Sequence, residues 1–199
     1  MHRLYVDRAA MLEFFDRLQA AYQGRGTLYL VGAAILVLEG WRDRAYRLEF
    51  TTEVPPADRE ALARLMDQIA GEMSLPICAE SPAEVIPLPK GYRERFRLPT
   101  LAGLSGPLTI AYFDPYSVAF RLITRGDEPD YRAVLALLEK GWITVDGMNS
   151  LLSGLLPQFN KETIAQDPAE FRRKYRGLLQ MWRDMTHPKP GLDRQKTTP

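Results

Sequence analysis

The run Thr27-Leu28-Tyr29-Leu30-Val31-Gly32, followed at once by Ala33-Ala34-Ile35-Leu36-Val37-Leu38-Glu39, constrains the fold more than any other stretch. Its first five residues are apolar or β-forming and read as a buried strand. Gly32 permits a tight turn, and the helix that follows has no polar stripe, so it must lie inside until Gly40 ends it. A strand and a helix that both need covering call for further layers. A chain of 199 residues supplies them as one domain, or as a core with a helical appendage.

Before this unit, Asp7 precedes Met11, Leu12, Phe14, Phe15 and Leu18 at helical spacing, and Gly24 and Gly26 stop that helix. After it, Tyr46, Leu48 and Phe50 alternate with Arg47 and Glu49, which predicts a half-buried strand with the first set inward and the second outward. Pro55-Pro56-Ala57-Asp58 opens a helix that carries Leu62, Leu65, Met66, Ile69 and Met73 on one face. A proline-rich loop over 76–89 then leads to a second alternating strand, in which Arg93, Arg95 and Arg97 face away from Tyr92, Glu94, Phe96 and Leu98. A strand over 108–113 follows, then helices over 116–124, 131–140, 145–156 and 168–185. The expected fold class is α+β: a mixed sheet flanked by helices within 1–113, a helical C-terminal region, 114–186, packed on it, and a disordered tail, 187–199.

Charge and composition limit the function. Lys+Arg of 26 against Asp+Glu of 25 leave a net charge of +1, so attraction to nucleic acid or an anionic membrane must come from local clusters. Two exist: 90–97 carries a net +3, and 170–199 a net +5 with His187 neutral. Cys78 has no second cysteine to pair with, and His2 and His187 are too few for a histidine-rich metal site. No apolar stretch is long enough to span a bilayer, so the expected setting is a reducing cytoplasm, with no membrane partner.

Four stretches carry a family resemblance: Leu28-Tyr29-Leu30-Val31-Gly32-Ala33-Ala34, then Pro87-Leu88-Pro89-Lys90-Gly91-Tyr92-Arg93-Glu94-Arg95, then Asp114-Pro115 with Arg121 and Arg125-Gly126, and Asp130 opening a helix that ends at Gly141 before Ile143. With the order of elements over roughly 12–179, they resemble the minimal nucleotidyltransferase fold, and within it a bacterial family of nucleotidyltransferase-like proteins related to abortive-infection antitoxins. The resemblance implies a glycine turn at Gly32 and Ala33 where backbone N–H groups approach phosphate. It also implies two carboxylates at alternate positions of the next strand, with a third on a neighbouring strand, holding divalent ions against a triphosphate.

This chain departs from that pattern. Arg47-Leu48-Glu49 stands where the resemblance implies Asp-x-Asp, which puts a permanent positive charge at the first ligand position. The strand expected to bring the third acid shows Arg93, Arg95 and Arg97 instead, so Glu49 remains as a vestigial position and no metal is expected. The arginines with Gly32 and Ala33 then form a candidate anion or nucleotide site, with Arg121, Arg125 and Asp130 as further family-like positions.

The resulting expectation is a non-catalytic, nucleotidyltransferase-like binding or regulatory protein. Its partner is a phosphorylated ligand, RNA, or a toxin-like protein that it would serve as an antitoxin-like half. One alternative is an active, Mg²⁺-dependent nucleotidyltransferase using Glu49 with Glu53, Glu94 or Asp114 and transferring a nucleotide to protein or RNA. Another is an RNA-binding module stacking bases on Tyr92, Tyr46 or Trp41. Purely structural readings compete: Gly32 as a simple turn, Arg93, Arg95 and Arg97 as a solvated face, and Arg47 with Glu49 as a surface pair.

Overall fold

The computed structural model describes residues 4–100, 104, 106–159 and 167–187. Its architecture is α+β, a mixed four-stranded sheet flanked by helices and followed by a helical C-terminal region. After the short strand β1 (Val6–Asp7), Asp7 accepts a hydrogen bond from the Ala10 N–H and starts α1 (Arg8–Ala21), which buries Met11, Phe14, Phe15 and Leu18. Next come β2 (Gly26–Leu30) and α2 (Ala34–Leu38), all five of whose residues are buried, as its unbroken apolarity requires. A two-residue strand, β3 (Arg44–Ala45), pairs antiparallel with β1.

The strand β4 (Leu48–Glu53) runs antiparallel to β2, with Leu30 opposite Phe50 and Tyr29 opposite Thr51. α3 (Arg59–Met73) buries Leu62, Met66, Ile69 and Met73 and packs on α1. It leads to β5 (Ile77–Ala79), which lies parallel to β4 with Cys78 opposite Glu49. The short helix α4 (Pro82–Val85) follows, and later β6 (Leu108–Tyr112) joins parallel to the free side of β2, giving the order β5-β4-β2-β6. From α1 to β5 the main sheet is thus built by helix and strand in strict alternation.

Four helices complete the described chain: α5 (Pro115–Arg125), α6 (Glu128–Glu139), α7 (Val145–Leu155) and α8 (Pro168–Thr186). α5 packs on both α6 and α8, and its apolar residues belong to one continuous core that reaches from Val6 to Leu178. No helix among the described residues is long and apolar enough to cross a membrane. The tail expected over 187–199 lies outside the described residues, except for His187 at the end of α8.

Two expectations are corrected. Residues 92–98 do not form an alternating strand: Gly91, at φ 74°, enters a 3₁₀ turn over Tyr92–Arg95, and only Arg97 makes a β-bridge, to Tyr112. The spacing misleads because Tyr92 and Phe96, four residues apart, both pack on Phe113 through a turn, while Leu98 stays exposed. The strand beside β4 is β5, inside the stretch expected to be a proline-rich loop. It is held by Leu48 N–H donating to Pro76 O (2.8 Å) and Glu80 N–H donating to Phe50 O (2.7 Å).

Candidate functional site: a guanidinium–carboxylate cleft

A cleft of about 280 Å³ opens beside the Gly32 turn, with Ala33, Arg42, Tyr46, Arg47, Glu49 and Arg125 among its walls. Glu49 enters from β4. Its neighbours Leu48 and Phe50 point to the opposite face of the sheet, as strand alternation demands. The carboxylate itself is nearly enclosed, with Glu49 only 4% exposed, so the expected outward pair of Arg47 and Glu49 is half right: Arg47 is exposed and Glu49 is buried. Tyr46, expected to face inward, precedes β4 and is exposed.

Gly32 is explained by Glu49. A side chain at position 32 would collide with that carboxylate. The α2 helix that begins there is only five residues long.

Around Glu49 the charges alternate. Arg47 Nε donates to Glu49 Oε1 at 3.2 Å, and Arg125 Nη1 donates to the same oxygen at 2.6 Å. Arg125 also forks onto Asp130, Nε to Oδ2 and Nη2 to Oδ1, both at 2.9 Å. On the other side, Arg47 Nη2 reaches Glu80 Oε1 at 3.5 Å, and Arg121 Nη2 reaches Glu80 Oε2 at 2.5 Å. Arg121 and Arg125 stand one helical turn apart on α5, which places both near the carboxylates. Arg121 is 5% exposed, and its Nε and Nη1 meet no partner among the described residues.

Ionisation follows this arrangement. Burial works against the charge on Arg125, but its hydrogen bond to Asp130 and the charge of Glu49 prevail and push its pKa up. Burial likewise opposes the Glu80 carboxylate, yet the hydrogen bond and charge of Arg121, helped by Cys78 and Arg47, hold it below the ordinary glutamate range.

The arginines expected to converge with Arg47 do not. Arg93 pairs with Glu53 at the far end of β4, both side chains exposed. Arg95 forks onto Asp114, Nε to Oδ1 at 2.8 Å and Nη2 to Oδ2 at 2.9 Å, and Asp114 also caps α5. Arg97 lies over the Trp142 ring, 4.4 Å from its centre. Once residues 92–95 coil, consecutive arginines point in different directions. Arg121, Arg125 and Asp130, in contrast, do join Glu49 and Arg47.

The acid that sequence reasoning missed is Glu80, which follows β5 and so comes up beside Glu49. Its signal was faint, because a three-residue strand between Pro76 and Pro82 carries almost no periodicity. The other acids weighed for catalysis are engaged elsewhere: Asp114 with Arg95, Glu53 with Arg93 and with the Tyr29 hydroxyl, which donates to it at 3.2 Å, and Glu94 within the 3₁₀ turn. The place between Glu49 and Glu80 is taken by a guanidinium. Arg47 bridges the two carboxylates and cannot lose its charge. Compared with family models, with curated proteins and with solved structures, the chain finds no match in any of the three.

Proposed function

We propose that this protein is a non-catalytic, nucleotidyltransferase-like binding or regulatory protein that holds a phosphorylated ligand in the cleft. The observation that carries this reading is Arg47 standing between Glu49 and Glu80. Two facing carboxylates, one on β4 and one just past β5, are the kind of pair that metal ions require, and here a guanidinium stands between them with a charge it cannot lose. Arg125 does the same between Glu49 and Asp130. Glu49, Glu80 and Asp130 are already compensated, and Asp127 is the one cleft carboxylate without an ion pair among the described residues. Against it stand Arg42, which has no carboxylate partner among them either, and the solvent-facing sides of Arg47 and Arg125, left to meet an anion without Mg²⁺.

The test is equilibrium binding of nucleoside triphosphates in Mg²⁺ and in EDTA, with a parallel search for labelled nucleotide transferred to protein or RNA. The expected result is binding of equal strength in both buffers, weakened at least about tenfold by Arg42→Gln together with Arg47→Gln, and no transfer. Transfer that disappears in Glu49→Gln would overturn the reading in favour of the enzyme alternative, and no binding in either buffer would remove the phosphorylated ligand.

A further inference from the structure

We infer that the strip outside the cleft mouth, Tyr5, Arg42, Asp43, Arg44 and Tyr46, is a landing surface for single-stranded RNA. These residues line a second depression of about 310 Å³ that shares Arg42 and Tyr46 as walls with the cleft. The strip is positioned by β1 and β3: Tyr5 precedes the one and Arg44 begins the other, and the antiparallel pairing of Asp7 with Arg44 sets them side by side.

Its planar groups lie close together. The Arg44 guanidinium lies 4.4 Å from the centre of the Tyr5 ring, and the Tyr5 ring lies 5.4 Å from that of Tyr46, tilted by 38°. Tyr46 is 63% exposed, an unusual state for an aromatic side chain beside a concave surface. A nucleobase of any sequence can stack on the exposed Tyr46 ring, because every base offers a π-face, and Arg42 and Arg44 line the same depression to meet the flanking phosphates.

Asp43 selects the kind of strand. Asp43 lines the same depression, and its carboxylate repels phosphate but accepts a hydrogen bond from a ribose 2′-hydroxyl, which DNA lacks. A duplex buries its bases in its own stack and offers Tyr46 no face. The landing surface shares Arg42 with the cleft, and its deciding residue is Tyr46, which the nucleotide-binding test leaves intact.

The experiment is fluorescence anisotropy of the full-length protein with a labelled 12-nucleotide single-stranded RNA, the DNA strand of the same sequence, the RNA duplex, and a glutamate-rich peptide as competitor, at 50 and 200 mM salt. Single-stranded RNA is expected to bind best and to weaken with salt. Tyr46→Ala should lower its affinity about tenfold while Tyr46→Phe keeps it, and Arg42→Gln should reduce the salt slope by about one. Since Tyr46 is exposed, an unchanged unfolding midpoint shows that these variants fold. Failure of RNA to bind at 50 mM salt, indifference to Tyr46→Ala, equal binding of the duplex or the DNA, or displacement of RNA by the peptide would each overturn the inference.

Discussion

A side chain at position 32 and the carboxylate of Glu49 claim the same space: a Cβ on Gly32 would lie 1.7 Å from Glu49 Oε2 and 2.8 Å from its Cδ. Gly32 is not among the glycines with positive φ, so room, not backbone freedom, is what the missing side chain provides. The carboxylate cannot step aside cheaply, because Arg47 and Arg125 hold it.

Gly32→Ala is therefore expected to destabilise the protein by about 1–3 kcal/mol, and by much less in a Glu49→Ala background. Urea unfolding of the two single variants and the double variant measures the difference. Equal costs in both backgrounds would show that the two positions do not compete.

The neighbouring arginines Arg93, Arg95 and Arg97 should give unequal losses. Arg95→Ala strips a fully buried Asp114 of its fork and is expected to cost about 2–4 kcal/mol. Arg93→Ala breaks an exposed pair with Glu53 and should cost less than about 1 kcal/mol. Equal losses across the series, read from denaturation midpoints, would restore the picture of one uniform arginine face.

Acid should weaken the protein partly through Glu80. Its carboxylate is held below the ordinary glutamate range when folded, so in mild acid the unfolded chain takes up a proton that the folded chain does not. The associated stability is complete above the unfolded value of about 4.3 and is lost as pH falls through the lower folded value. Glu80→Gln is expected to be less stable than the parent at pH 7 and to lose less between pH 6 and pH 3. Parallel stability–pH curves would show that Glu80 contributes nothing to acid sensitivity.

Ending the chain at Phe113 should give an insoluble or loosely folded product. Val118, Phe120, Leu122, Val134, Leu137 and Leu178 are all buried in the core that also contains Leu28 and Leu30, and their removal bares that surface. Solubility, dye binding and the sharpness of thermal unfolding report the outcome. A soluble fragment unfolding near the full-length midpoint would show the two regions to be independent.

What the sequence made legible followed from periodicity and length. The helices over 8–21, 59–73 and 168–186 announce themselves through repeated apolar positions, and the buried α2 through the absence of polar ones. The site was legible in the sequence only in part: Arg47 with Glu49 through their closeness along the chain, and Arg121 and Arg125 as positions that the family resemblance singled out, four residues apart on one helix. Glu80 escaped because β5 is too short to show a period. Arg93, Arg95 and Arg97 misled because a coiled segment with aromatics four apart mimics alternation. The quarrel over space between Gly32 and Glu49 exists only once β2 and β4 have paired, and no local pattern encodes it.

The central strand β2 takes one neighbour early and the other late: Leu28 faces Thr52 on one side and Ile110 on the other. On the ribosome, residues through 53 can form the antiparallel pair while the opposite edge of β2 waits for residue 112. At the usual pace of translation, 5–20 residues per second, that edge stays open for roughly 3–12 seconds. Throughout this interval Gly26, Leu28 and Leu30, whose backbone groups face that edge, present bare donors and acceptors to any other extended chain. Premature stop codons between the two partners of β2 are expected to release fragments prone to strand-to-strand aggregation.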